Sequence, residues 1–61
     1  MAARFVIKKA RSGEYFFVFK APNGEDIAQS EMYKTKSSAR SGIDSVKANA
    51  SSARVDDETG E

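Results

Sequence analysis

The chain contains no cysteine, no histidine and no tryptophan, and it has a single proline. Without cysteine there is neither a disulfide framework nor a thiol nucleophile. Without histidine the commonest general base and the commonest metal ligand are both missing. Long hydrophobic runs are lacking too: the longest strongly apolar stretch, Tyr15 to Phe19, is far too short to span a bilayer. The first residues, Met1-Ala2-Ala3-Arg4, have no apolar segment of the secretory kind, so the expectation is a cytoplasmic protein with no membrane partner. An excess of one charge is also absent. Ten Lys+Arg against nine Asp+Glu leave a formal net charge of +1, which gives no overall field to draw in nucleic acid.

What is present is an ordinary soluble composition, 39% hydrophobic and 31% charged, in 61 residues, enough for one small domain over residues 1–61. Its ordered part is expected at about residues 4–57. The sizeable apolar residues are few for a domain that must offset its own chain entropy. Small domains are usually stapled by disulfides, metals or association, and the first two need residues that are missing here. Self-association is therefore the expected route, a homodimer before any other partner. Charge is unevenly spread: residues 1–20 hold five basic groups and one acid, whereas residues 51–61 hold Arg54 against Asp56, Asp57, Glu58 and Glu61. That gradient favours head-to-tail proximity within or between chains.

Arg4 to Ala10 and Tyr15 to Lys20 are rich in β-branched and aromatic residues and are separated by Arg11-Ser12-Gly13, which predicts a hairpin. A three-residue loop with Gly13 in the left-handed region sets Ile7 opposite Phe17 and Phe5 opposite Phe19. Phe5, Ile7, Tyr15, Phe17 and Phe19 then share the core face, and Arg4, Val6, Lys8, Phe16, Val18 and Lys20 share the other. Pro22-Asn23-Gly24 repeats the loop, placing Lys20 opposite Asp26 and Ile27 beside Phe19 on the core face. Thr35 to Ala50 reads as a helix: Ala39, Ile43, Val46 and Ala50 form one apolar stripe, and Thr35 is the N-cap. Arg40 and Asp44 make a supporting pair on its outer face. Gly42 costs about 1 kcal/mol in a helix interior, so its presence points to close approach between helix and sheet. On pattern alone, Ala53-Arg54-Val55-Asp56 is as consistent with a strand as with a loop. The fold class is α+β, an antiparallel sheet with one helix on one face.

The sequence resembles the YegP-like family, small and mostly bacterial proteins of uncharacterised function. The residues that carry the resemblance are Gly13-Glu14-Tyr15, Phe17 to Glu25, Ser30-Glu31, Tyr33, Lys36, Ser38-Ala39, Gly42-Ile43, Ser45-Val46-Lys47 and Asn49-Ala50. Pro22 and Met32 depart from it, where alanine and glycine are more usual. The resemblance implies a β3-α-β unit that occurs either as tandem repeats or as two copies in a homodimer, with C-terminal strands exchanged across one continuous sheet. For a single unit it implies the swapped homodimer, and it makes Ala53, Arg54, Val55 and Asp56 the candidate dimer strand. It implies no catalytic residues.

Three features invite a functional reading. Arg4, Val6, Lys8, Phe16, Val18 and Lys20 mix basic and apolar side chains on the second sheet face, the kind of surface that binds a protein partner or, with more aromatics, single-stranded nucleic acid. A solvated face with lysine stems covering the apolar groups is the plainer reading. Lys34, Thr35, Lys36, Ser37 and Ser38 surround a helix N-terminus, where free N–H groups can hold an anion, although an ordinary cap explains them as well. Asp56-Asp57-Glu58 reads as a solvated acidic run rather than a cation site. The serines have no histidine to serve them, and no nucleophile, base and oxyanion donor come together. The expectation is a protein that is not an enzyme, needs no cofactor or metal, and works as a dimeric interaction module with an unidentified protein partner. Nucleic-acid binding is the alternative.

Overall fold

The computed structural model describes residues 2–61. Strands β1 (Arg4–Lys9), β2 (Tyr15–Lys20) and β3 (Asp26–Gln29) form an antiparallel sheet in the order β1-β2-β3. Helix α1 (Lys36–Asn49) follows, then a single 3₁₀ turn over Ala50–Ser52. The architecture is α+β.

Both hairpin loops close in the same way. Ala10 N–H donates to Glu14 O at 2.8 Å and Gly13 N–H to Ala10 O at 3.0 Å; Ala21 N–H donates to Glu25 O at 2.8 Å and Gly24 N–H to Ala21 O at 2.9 Å. Gly13 and Gly24 lie at φ of 90° and 88°, the left-handed region that a residue with a Cβ enters at a cost. The first loop sets the predicted register, with Phe5 opposite Phe19 and Ile7 opposite Phe17.

The second hairpin departs from expectation after Lys20 meets Asp26. The ladder shifts by one residue, so that Ala28, not Ile27, lies opposite Phe19. Ile27 is the extra residue of a β-bulge and is 58% exposed, not a core residue. Beyond β3 the chain keeps pairing with β2. Ser30 N–H donates to Phe17 O at 2.9 Å, and Phe17 N–H donates to the Ser30 hydroxyl at 2.9 Å. Tyr15 and Tyr33 then exchange backbone hydrogen bonds of 2.8 and 2.7 Å. A serine hydroxyl thus stands in for a missing carbonyl in the ladder.

The helix begins where Thr35 Oγ1 accepts from Ser38 N–H at 3.1 Å, the cap expected from the sequence. It packs on β2 and β1 but not on β3. Beneath it Phe17 stacks on Tyr33, with ring centroids 6.2 Å apart, and meets Phe5 edge-on at 5.9 Å; Phe5 in turn stacks on Phe19 at 4.7 Å. Gly42 crosses this cluster. A Cβ there would overlap the Tyr33 hydroxyl and fall 3.1 Å from a Phe17 ring carbon, which explains glycine within a helix.

The apolar stripe of α1 is covered over only part of its length. Ala39 is buried and Ile43 half-buried, whereas Val46 and Ala50 are exposed, contrary to the reading of one continuous core stripe. The fourth strand expected over Ala53–Asp56 is absent from the isolated chain: residues 53–61 belong to no strand, and Val55 is 94% exposed. A strand needs a neighbouring ladder to satisfy its N–H and C=O groups, and this segment pairs with no strand of its own chain.

Candidate interaction site

On the second sheet face, Val18 sits at the middle of the central strand between Val6 and Gln29, with Phe16 and Lys20 before and after it on the same side. These four neighbours leave it 2% exposed, so it offers no contact area, contrary to its expected place in a partner-binding surface. Lys20 is tied to the Asp26 carboxylate through an ion pair. That hydrogen bond and charge, with Lys8 nearby, hold the Asp26 carboxyl below its usual range. Arg4 and Lys8 stay exposed, while Val6 and Phe16 are half-buried. The six residues thus lie on one face, with two of them, Val18 and Lys20, withdrawn from easy contact.

At the helix N-terminus the hydroxyls serve one another. Thr35 Oγ1 donates to Ser38 Oγ at 2.9 Å and lies 3.3 Å from Ser37 Oγ, besides capping the Ser38 amide. Lys34 and Lys36 are exposed. The geometry is that of an N-cap.

The feature that sequence reasoning missed is a groove of about 420 Å³ between β1 and α1. Phe5, Ile7 and Ile43 provide its apolar surface; Arg4, Arg40, Lys47 and Asp44 provide its charges. Arg40, Asp44 and Lys47 recur at helical spacing beside Ile43, which is the signal that could have revealed a charged rim. The expected Arg40–Asp44 pair is not formed: the ion pairs among the described residues are Lys20–Asp26 and Arg54–Asp56. Both charges are left at the rim of the groove. Along the same side runs the outer edge of β1, an end strand of the sheet with one row of backbone groups unpaired.

The free C-terminal segment carries chemistry that matches this edge. Ala53 is extended, the segment that follows is acidic, and its hydrogen bonds and ion pair are local: Arg54 Nε pairs with Asp56 at 3.0 Å, and Asp57 accepts from the Thr59 amide and hydroxyl at 3.0 and 2.7 Å. Those two hydrogen bonds hold the Asp57 carboxyl below its usual range. Among the described residues, no helix is long and apolar enough to cross a membrane.

A three-stranded antiparallel sheet with one helix packed on it, and β1 as an open edge, defines a small α+β unit. The chain belongs to the family described as domain of unknown function DUF1508, whose model matches residues 10–57. It is 43% identical over 61 residues to a UPF0339 protein of Caulobacter vibrioides, covering 97% of this chain and 98% of that one. It is 52% identical over 50 residues to a UPF0339 protein of Pseudomonas aeruginosa, covering 82% of this chain and 46% of that one. A UPF0339 protein YegP of Yersinia pestis is 54% identical over 46 residues, covering 75% of this chain and 41% of its own. The chain thus spans about half the length of several curated relatives and the whole length of others. A solution structure of a protein from Haloferax volcanii superposes with a TM-score of 0.83 at 34% identity, covering 90% of this chain and 93% of that one.

Proposed function

We propose that the protein is a non-catalytic interaction module that works as a homodimer, each copy lending residues 53–57 as a strand to the open β1 edge of the other. The observation that carries this reading is the coexistence of an unpaired edge and a segment that joins no strand in one chain, with Val55 94% exposed. Each supplies what the other lacks: ladder hydrogen bonds for the segment, and apolar cover for the groove floored by Phe5, Ile7 and Ile43. Pairing would lengthen the sheet across both copies and bury surface that a domain this small needs to bury. The relatives about twice this chain's length fit the same logic, since two units joined in one chain could pair without a second molecule.

The test is solution mass by light scattering across a wide dilution range, for the wild type and for a full-length variant carrying Arg54→Pro and Val55→Pro. Adjacent prolines remove the ladder donors on both sides of the segment and leave every carboxylate in place. The expected result is a mass near twice 6.7 kDa for the wild type and a folded monomer for the variant. A variant that remains dimeric would overturn the exchange.

A further inference from the structure

We infer that the C-terminal segment is selected by charge: the acidic run Asp56-Asp57-Glu58 of one copy is recognised by Arg4, Arg40 and Lys47 around the groove of another. This rests on the strand exchange proposed above and adds to it the means by which the right segment is chosen. The groove beside β1 presents three cations and one carboxylate, Asp44. The segment over residues 53–61 presents four carboxylates and one guanidinium, Arg54. Arg4, Arg40 and Lys47 are all exposed, and none is engaged in an ion pair among the described residues. Their nearest counter-charge on the helix, Asp44, leaves them unpaired, so the rim keeps a positive excess for an incoming partner.

The other end of the sheet shows the opposite arrangement. At β3 the available cation, Lys20, is already held by Asp26, and the adjoining loop adds Glu25. An acidic segment approaching that edge meets carboxylates, and one approaching β1 meets cations. Like-charge juxtaposition suppresses wrong pairings and unlike charge accelerates the right encounter, so the distribution selects the β1 edge.

A charge-swap experiment on the full chain reads this directly. One variant reverses the segment, Asp56→Lys with Asp57→Lys; the other reverses the rim, Arg40→Glu with Lys47→Glu. All four positions are exposed, so both variants should keep the wild-type circular dichroism. Each alone should self-associate at least ~10-fold more weakly than the wild type, because like charges then meet at both docking sites. Mixed in equal amounts they should form a heterodimer, read by native mass spectrometry, because each tail then meets an opposite rim. Wild-type affinity should also fall as salt is raised. Homodimers of both variants as tight as the wild type, with random mixing, would overturn the charge selection while leaving the exchange intact. Retention of the dimer by the Arg54→Pro, Val55→Pro variant would remove the exchange and the selection together, as would a wild type that stays monomeric at every concentration.

Discussion

The two edges of this sheet are built to different rules. Edge β1 has six residues in unbroken register, lies under the flank of the helix, and borders a groove with an apolar floor. Edge β3 has four residues, all exposed, and is broken by a bulge; the helix does not reach it. Short length and a bulge are two of the devices by which proteins keep an edge from pairing with other chains, and edge lysines are a third. Edge β1 has neither of the first two, although Lys8 and Lys9 stand on it. A sheet that guards one side and leaves the other regular directs association to a single direction, which favours a closed pair over an open chain of copies.

The largest effect expected is at the strand both edges share. Phe17 is buried among Phe5, Tyr33 and the helix at Gly42, so Phe17→Ala should cost about 3–5 kcal/mol. In a domain this small that loss is enough to unfold it, and thermal denaturation should show both edges lost together. A mutant retaining a cooperative transition near the wild-type temperature would mean that the cluster is not the core.

Gly42→Ala sharpens the comparison because it acts only where the helix approaches β2. The added methyl meets Tyr33 and Phe17, and overpacking of this kind costs about 1–3 kcal/mol, against a helix-propensity gain of roughly 1 kcal/mol. A net loss is expected in denaturant melts. Adding Tyr33→Phe should recover part of it by removing the hydroxyl that the new methyl strikes. Absence of recovery would place the strain at Phe17 instead.

Thr35→Ala removes the acceptor of the Ser38 amide and should lower stability by about 1 kcal/mol. On β3, Ile27→Thr should change stability by less than about 0.5 kcal/mol, because the bulge already exposes this side chain. Hydrogen exchange should agree, with β2 amides the most protected and the amides of β3 that face outward among the least.

The smallest effect concerns pH. Asp26 has its carboxyl held below the usual range by Lys20, so the folded state favours the ionised form. That contribution is fully present above the ordinary carboxylate pKa and is lost as pH falls through the lowered value. Asp26→Asn should therefore lower stability slightly at neutral pH and leave it almost unchanged in acid, which flattens the acid side of the stability profile. The Asp26 carboxylate is exposed, and ion pairs open to solvent contribute little.

Much of this arrangement was legible in the residues themselves. Loop chemistry at Gly13 and Gly24 gave both turns, and with them the full β1–β2 register and the Lys20–Asp26 pair. Thr35 marked the helix start, and Gly42 its closest approach. The bulge was not legible, because alternation in so short a strand is equally compatible with Ile27 or Ala28 facing inward. The burial of Val18 was not legible because two of its neighbours on that face, Val6 and Gln29, come from other strands. The groove was hidden for a similar reason: it arises where an incompletely covered helix stripe meets a strand far away in sequence. A pattern within one segment carries no record of which half of a stripe its partner will reach.

The two matching loops also bear on the order of events in folding. Each hairpin closes over three residues, so the sheet is assembled from contacts between near neighbours, the kind that form fastest. The residues proposed for exchange lie beyond all three strands in sequence, and the meander needs none of them to close. Any pairing of that segment would then be a bimolecular, concentration-dependent step between completed sheets, slower at low expression than the folding of either copy.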